Sequence, residues 1–202
     1  MFLTSETAEN INDTLFLLIN APAHASHLLL GFGNLCASGL IFLYPLMLLI
    51  YWFSFNNTKQ KIALQALLAS LLALSANMVI AHFFTHPRPF MVPIGHTFIS
   101  HAADSSFPSD HMTLACAIAI SFIFSKKNVA GMSLLLLALF IGWGRVYLGV
   151  HFPGDILGSL LVATFCGWMV KKSENIFDPL FGKLYRLNDW LFGSLKRSNV
   201  KS

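Results

Sequence analysis

Long runs of apolar residues constrain this chain more than any other feature of its sequence. Residues 27–53 and residues 62–84 contain no Asp, Glu, Lys or Arg. A helix of about 20 mostly apolar residues is long enough to cross the hydrocarbon core of a bilayer. These two runs therefore predict two membrane-spanning helices.

Three shorter apolar runs predict further spanning helices at residues 110–125, 128–147 and 153–170. The first of these helices would rise only about 24 Å, whereas the hydrocarbon core is about 30 Å thick. We therefore expect its N-terminus at or slightly below the level of the lipid headgroups. The predicted fold class is all-α, a polytopic membrane helix bundle of about five transmembrane helices with interfacial helices at both ends of the chain.

The composition agrees with a membrane protein of one domain. Charged residues make up 11% of the chain and mean hydropathy is +0.65, whereas a soluble domain carries about a quarter charged residues. This balance excludes a disordered chain, a coiled coil and a nucleic-acid-binding domain. We predict one membrane-embedded domain with an outer interfacial segment at residues 1–26, a transmembrane core at 27–170 and a basic amphipathic cytoplasmic tail at 171–202. The apolar residues of that tail are Leu184, Leu187, Trp190, Leu191 and Leu195.

Basic residues gather on one side of this five-helix topology. Of the thirteen Lys and Arg, all but Arg88 and Arg145 fall on the side of the C-terminal tail. Because positively charged loops stay in the cytoplasm, the N-terminus is predicted outside and the C-terminus inside. The two remaining arginines then lie at the outer face, so any chemistry that uses them is expected there.

Three short clusters at this outer face carry reactive side chains: residues 86–90, 107–111 and 144–155. The guanidinium groups of Arg88 and Arg145 match the oxygens of a phosphate group. Pro108 and Ser109 open a predicted helix, whose free N–H groups form an anion site. His111 lies in the first turn of that helix, beside any anion held there.

The third cluster predicts an oriented histidine. Pro153 suits the first position of a helix, which leaves His151 in the loop before it and Asp155 in the first turn. A carboxylate at that position reaches back across the helix start, where it accepts a hydrogen bond from one imidazole nitrogen. The other nitrogen of His151 would then face outward as a nucleophile.

These groups together predict a phosphoryl-transfer site. His151 would attack phosphorus in line and form a phosphohistidine, and His111 would protonate the leaving oxygen and later activate water. Arg88, Arg145, Ser109 and the helix N–H groups would hold the equatorial oxygens. This chemistry calls for no metal ion and no other cofactor.

The three clusters resemble the signature motifs of the type 2 phosphatidic acid phosphatase superfamily, Lys-x6-Arg-Pro, Pro-Ser-Gly-His and Ser-Arg-x5-His-x3-Asp. Within that superfamily, residues 86–90, 101–104, 108–111 and 145–151 are most similar to the bacitracin-resistance branch of bacterial undecaprenyl pyrophosphate phosphatases. The resemblance covers roughly residues 10–170. It implies that His151 is the nucleophile, Asp155 its partner and His111 the acid. The implied phosphate-binding groups are Arg88, Ser109, Arg145 and the backbone of Asp110.

Three positions depart from the family motifs. Ala81 stands where the family has its lysine, and either His82 or His86 could take over that role. Asp110 replaces the glycine before His111, and its carboxylate would favour the protonated form of that histidine. Gly144 replaces the serine before Arg145, which removes one possible hydrogen bond.

The remaining polar residues of the outer clusters allow several interpretations. His86, His101 and Asp104 are candidates for contact with the lipid headgroup. His82 and His86, four residues apart, could alternatively ligate a metal ion, although Pro87 ends their helix. Asn77 is expected to hydrogen-bond between helices rather than to touch substrate.

The resulting functional hypothesis is dephosphorylation of undecaprenyl pyrophosphate at the outer face of the bacterial cytoplasmic membrane. Such an enzyme would recycle the lipid carrier for cell-wall synthesis, and its partners would be the isoprenoid pyrophosphate and membrane lipids, with no nucleic acid. A second hypothesis keeps the chemistry and changes the lipid to phosphatidylglycerophosphate, phosphatidate or lipid A. A third is a small anion transporter without enzymatic activity. The sequence predicts no particular oligomeric state.

Overall fold

A computed structural model describes residues 5–198, in which the regular secondary structure is helical and no β-strand occurs. Its helices are α1 (Ser5–Ile19), α2 (His27–Trp52), α3 (Asn57–Phe83), α4 (Asp110–Phe124), α5 (Asn128–Tyr147), α6 (Pro153–Lys172) and α7 (Glu174–Ser198). Four of them, α2, α3, α5 and α6, are long and apolar enough to cross a membrane. The predicted all-α membrane bundle is therefore confirmed.

Helix α4 is the centre of the bundle. It packs against α3, α5 and α6, and ten of its fifteen residues are buried. Most of these buried residues are small, including Ala115, Ala117 and Ala119, and small side chains let neighbouring helices approach closely. Because protein surrounds α4 on most sides, a helix shorter than the hydrocarbon core can be held between longer neighbours.

Helix α3 begins earlier than the hydropathy predicts. Its first residue is Asn57 rather than Ile62, because the side chain of Asn56 accepts a hydrogen bond from the backbone N–H of Lys59 at 3.1 Å and caps the helix. Lys59 and Lys61 therefore lie in the first turns of a helix and not in a loop. A polar cap outside the apolar run extends the helix beyond the part that hydropathy detects.

The two terminal helices, α1 and α7, pack at opposite ends of the bundle. Helix α1 lies where α5 ends and α6 begins, since the side chain of Asn12 accepts the N–H of Gly154 at 2.8 Å. Helix α7 lies at the other end, where Lys61 is 2.8 Å from Asp178. Residues 1–4 and 199–202 of the predicted terminal segments are outside the described residues, as are the side chains of residues 5 and 194–198, Leu195 included.

Candidate active site

The predicted site residues come from four segments that meet at the α1 end of the bundle. These segments are the connection between α3 and α4, the first turn of α4, the last turn of α5 and the turn at residues 148–155. Arg88, Ser109, Arg145, His151 and Asp155 are all buried there. The long connection between α3 and α4 thus folds into the site instead of standing free above the bundle.

His151 and Asp155 have the geometry that their spacing predicts. Phe152 is extended and Pro153 opens α6, so the carboxylate of Asp155 folds back over the helix start. Its Oδ2 accepts the N–H of Phe152 at 2.8 Å and lies 3.2 Å from Nδ1 of His151. The same oxygen accepts the hydroxyl of Ser106. Three partners therefore hold Asp155, which in turn orients the imidazole.

The imidazole of His151 is neutral at physiological pH. Only 2% of the residue is exposed, and this burial lowers the pKa of His151 to about 4, against the opposing effect of Asp155. With Nδ1 directed at a carboxylate, a neutral ring carries its proton on Nδ1 and its lone pair on Nε2. Nε2 is therefore the nitrogen available as a nucleophile.

Arg88 is held by the protein on all three of its nitrogens. Nε donates to Asp104 at 2.9 Å, Nη2 to the carbonyl of Ser105 at 3.2 Å and Nη1 to the carbonyl of Val150 at 2.9 Å. Nη1 also lies 3.1 Å from Nε2 of His151. The guanidinium charge of Arg88 is thus fixed directly beside Nε2 of His151.

Arg145 is in the opposite situation, because its buried donors are unused. It is 3% exposed, and Nε and Nη2 find no hydrogen-bond partner in the described part of the chain. The hydroxyl of Ser109 is likewise buried and unpartnered there. Leaving buried polar groups unpaired costs free energy, more so for charged groups, so these groups are available to bind an anionic ligand.

Gly144 and Gly149 shape the segment that joins Arg145 to His151. A Cβ on Gly144 would lie 2.8 Å from the backbone of Gly33 and of Ala37, so α5 meets α2 backbone to backbone. Gly149 has a φ of +81°, and a Cβ there would overlap the carbonyl of His96. The serine of the family motif would therefore not fit at position 144 without displacing α2.

The carboxylate of Asp110 contacts Asn77 and not His111. Its Oδ1 accepts a hydrogen bond from Nδ2 of Asn77 at 2.8 Å, and Asn77 also reaches Thr113 at 3.0 Å. The expectation that Asp110 keeps His111 protonated is therefore wrong, since no hydrogen bond or ion pair joins them. His111 itself is half-buried and interacts electrostatically with Arg145 and His151.

His101 and His86 lie on different sides of the His151–Asp155 pair. The ring of His101 is centred 6.1 Å from that of His151, on the side of the two arginines. Burial lowers the pKa of His101, and the charges of Arg88 and Arg145 add to this effect. His86 instead lies behind Asp155, with its Nδ1 3.8 Å from Oδ1. His82 is exposed and packs on Phe83, so His82 and His86 do not converge on a common point.

Sequence reasoning missed two contacts of the site, Ser106 with Asp155 and Asp104 with Arg88. Asn77 hydrogen-bonds between helices as expected, and its partner at the site is Asp110. None of these pairs is local in the chain, and Ser106 belongs to no motif. Among residues 5–198, no three His, Cys, Asp or Glu side chains cluster as metal ligands would.

Residues 62–176 match the model of a protein family described as the PAP2 superfamily. The protein YbjG of Escherichia coli (strain K12), provisionally named an undecaprenyl-diphosphatase, is 37% identical over 90% of this chain and 91% of its own length. BcrC of Bacillus subtilis (strain 168), named an undecaprenyl-diphosphatase, is 32% identical over 93% of this chain and 96% of its own length.

A solved structure shares the fold as well. The first transmembrane PAP2 type phosphatidylglycerolphosphate phosphatase from Bacillus subtilis superposes with a TM-score of 0.64 at 25% identity, over 86% of this chain and 89% of that chain. Together with the four apolar helices, this likeness makes the chain a multi-pass membrane protein.

Proposed function

Since the chain belongs to the PAP2 superfamily, we propose that it hydrolyses undecaprenyl pyrophosphate to undecaprenyl phosphate and inorganic phosphate. The names of the two relatives that align over nine-tenths of the chain support this substrate. The observation that carries the proposal is the buried guanidinium of Arg145, whose free donors lie within electrostatic range of the His151–Asp155 pair. Such a site binds phosphate next to a nucleophile.

The first chemical step transfers the terminal phosphoryl group to His151. The lone pair on Nε2 attacks phosphorus in line, the P–N bond forms, and the P–O bond to undecaprenyl phosphate breaks. The negative charge of the bound pyrophosphate favours the protonated form of His111, which donates this proton to the leaving oxygen. Asp155 stabilises the positive charge that develops on the imidazole, because its Oδ2 faces Nδ1 at 3.2 Å.

The second step releases phosphate. His111, now neutral, takes a proton from a water molecule, whose oxygen attacks the phosphohistidine as the P–N bond breaks. The electron pair returns to Nε2 of His151, and the site regains its starting state. One histidine thus serves as acid in the first step and as base in the second.

The equatorial oxygens of the transferred phosphoryl group are held by fixed donors. We assign this role to Nε and Nη2 of Arg145, the hydroxyl of Ser109 and the backbone N–H of Asp110, with His101 at the edge of the site. When substrate binds, a phosphate oxygen replaces Nε2 of His151 as the acceptor for Nη1 of Arg88, which frees the lone pair of Nε2. Donors fixed in advance stabilise charge as it spreads in the transition state.

A cavity beside His111 supports a substrate with a long apolar chain. Its volume is about 370 Å³, and its lining residues are Ile41, Leu74, Met78, Asp110, His111 and Leu114. In an in-line displacement, the leaving group departs on the side of the acid, away from the nucleophile. The isoprenoid chain would therefore leave the site along this cavity, between α2, α3 and α4.

We place the site at the outer face of the bacterial cytoplasmic membrane. The supporting argument is the distribution of basic residues, since Lys59, Lys61, Lys126 and Lys127 all lie at the end of the bundle opposite the candidate site. Basic residues flanking spanning helices favour the cytoplasmic side. From there the enzyme would return the lipid carrier to cell-wall synthesis.

Phosphate release from the purified protein in detergent micelles tests the activity. We expect turnover of undecaprenyl pyrophosphate, unaffected by EDTA, with an acid-labile phosphorylated protein as intermediate.

His151→Ala and Arg145→Ala should each lower kcat/KM by roughly 10³-fold or more, because each removes a group that acts in the transition state. His24→Ala and Arg186→Ala, both exposed residues away from the site, are the matched controls. Wild-type rates in His151→Ala would contradict the proposal.

A second substrate is favoured by the solved structure of the Bacillus subtilis phosphatidylglycerolphosphate phosphatase. The same experiment distinguishes the two when phosphatidylglycerophosphate, phosphatidate and lipid A are offered beside undecaprenyl pyrophosphate at equal concentration. The lipid with the highest kcat/KM identifies the substrate class. A kcat/KM for phosphatidylglycerophosphate above that for undecaprenyl pyrophosphate would replace the first assignment.

A further inference from the structure

His86 lies between two carboxylates that belong to different helices. Its Nδ1 is 3.8 Å from Oδ1 of Asp155 in α6, and its Nε2 is 3.4 Å from Oε2 of Glu9 in α1. The ring is parallel to that of Phe84, with centroids 6.4 Å apart, and its edge meets Phe152 at 5.4 Å. The side chain is only 14% exposed, so the imidazole is held in this position by packing.

The two nitrogens of His86 face carboxylates at different ranges. Nε2 lies within hydrogen-bond distance of Glu9 at 3.4 Å, whereas Nδ1 is buried without a hydrogen-bond partner among the described residues and faces Oδ1 of Asp155 at 3.8 Å. An N–H on each nitrogen, as in the imidazolium, serves both oxygens. The neighbouring cation, Arg88, does not compete, because its guanidinium faces Asp104, Val150 and His151.

The two oxygens of Asp155 are thereby used in different ways. Oδ2 faces His151, the N–H of Phe152 and the hydroxyl of Ser106. Oδ1 faces His86 on the other side of the carboxylate. A cation at Oδ1 stops the carboxylate from rotating about its Cβ–Cγ bond, so Oδ2 stays directed at Nδ1 of His151.

Helix α1 contacts the same turn at two further points. The side chain of Asn12 accepts the backbone N–H of Gly154 at 2.8 Å. The ring of Phe16, which is fully buried, is centred 5.2 Å from the ring of Phe152. Glu9, Asn12 and Phe16 follow one another at helical spacing, so one face of α1 lies against the turn that carries His151.

We propose that His86 is a positioning residue whose imidazolium bridges Asp155 to Glu9 and so joins helix α1 to the His151–Asp155 pair. This inference rests on the proposed function of that pair. It places His86 on the side of the Asp155 carboxylate that faces away from His151. It replaces the expectation that His86 contacts the lipid headgroup. It also gives the N-terminal helix a part in catalysis, namely to brace the turn at residues 151–155.

Steady-state kinetics on undecaprenyl pyrophosphate test the bridge. The variants are His86→Gln, Glu9→Gln and the double variant, and the matched controls are His82→Gln and Glu6→Gln, which alter exposed residues of the same types nearby. We expect each single test variant to lower kcat about tenfold with KM within about twofold, and the double variant to be no worse than His86→Gln, because the two residues act through one contact. The controls should match the wild type.

Non-additivity separates a bridge from two independent structural roles. If His86 and Glu9 act through one contact, the loss of kcat in the double variant stays at that of His86→Gln, with KM within about twofold throughout. Full additivity of His86→Gln and Glu9→Gln would overturn the bridge.

The two proposals fail in different ways. If the wild type releases no phosphate from any lipid while the protein is folded, the proposed function is wrong. If the wild type is active and His151→Ala is inactive, but His86→Gln has the kcat of the wild type, only the bridge is wrong. A rise in KM without a fall in kcat would assign His86 to the headgroup and would likewise contradict a positioning role.

Discussion

Burial decides the charge of His151 more than its carboxylate partner does. Desolvation is the largest influence on its pKa and lowers it, while the hydrogen bond to Asp155 works in the other direction. The positive charge of Arg88, 3.1 Å from Nε2, adds to the lowering. In the proposed reaction, Asp155 would therefore act by orienting the ring and by stabilising charge, and not by keeping the resting histidine protonated.

This balance predicts how His151 titrates in the substrate-free protein. With a pKa of about 4, the imidazole should remain neutral down to about pH 5, whereas an ordinary histidine is half protonated near about pH 6.5. Nitrogen-15 NMR of histidine-labelled protein measures this directly, and His151→Gln identifies the signal by its loss. As the pH falls through about 4, Nε2 gains a proton and kcat/KM falls. Titration near about pH 6.5 would contradict this account.

At the scale of helices, small residues set the position of the site. Helix α5 approaches α2 closely at Gly144, one residue before Arg145. Helix α2 has a π-helical turn at Leu35–Gly39 followed by a 3-10 turn at Leu40–Phe42, next to this crossing. The register of α5 against α2 therefore determines where the guanidinium of Arg145 is presented.

Gly144→Ser tests this crossing, because it restores the residue of the family motif. The added Cβ would lie 2.8 Å from the backbone oxygen of Gly33 and the backbone nitrogen of Ala37, and overpacking of this kind typically costs about 1–3 kcal/mol. We expect a lower midpoint in thermal unfolding and a lower kcat/KM, despite the extra hydroxyl. Gly182→Ser, at a site with no atom within 4 Å of a Cβ, is the control. A gain in activity would show that α2 adjusts to the serine.

At the scale of the whole molecule, the bundle separates two kinds of polar network. The end that carries the candidate site holds the two arginines, His151 and Asp155, together with α1. The opposite end holds Gln65, Lys61, Lys171 and Asp178 around Glu174. Hydrogen bonds from Lys171 and Gln65 lower the pKa of Glu174 to about 2. This carboxylate therefore stays ionised and anchors α7 to the ends of α3 and α6.

Cysteine labelling in intact cells tests the orientation of the bundle. His96 and Lys127 are exposed at opposite ends, so a membrane-impermeant maleimide should label His96→Cys and leave Lys127→Cys unlabelled until the cells are lysed. The three native cysteines are buried and provide a low background. Labelling of Lys127→Cys alone before lysis would place the site in the cytoplasm and reverse the topology.

Much of the fold and the local part of the site could be predicted because they depend on short stretches of chain. Apolar runs determine where helices lie, since backbone groups in a bilayer must be satisfied within the helix. The pairing of His151 with Asp155 follows from Pro153 and the helix start between them. Both features need only the residues that are adjacent in sequence or one helical turn apart.

Only the tertiary structure decided which distant side chains meet. Arg88 lies 63 positions from His151 and His86 lies 77 from Glu9, while Asp110 contacts Asn77 across two helices instead of its neighbour His111. Such contacts depend on helix rotation, crossing position and the path of the connection between α3 and α4. Hydropathy and motif spacing carry no information about these quantities, because they arise from packing between elements and not from any one of them.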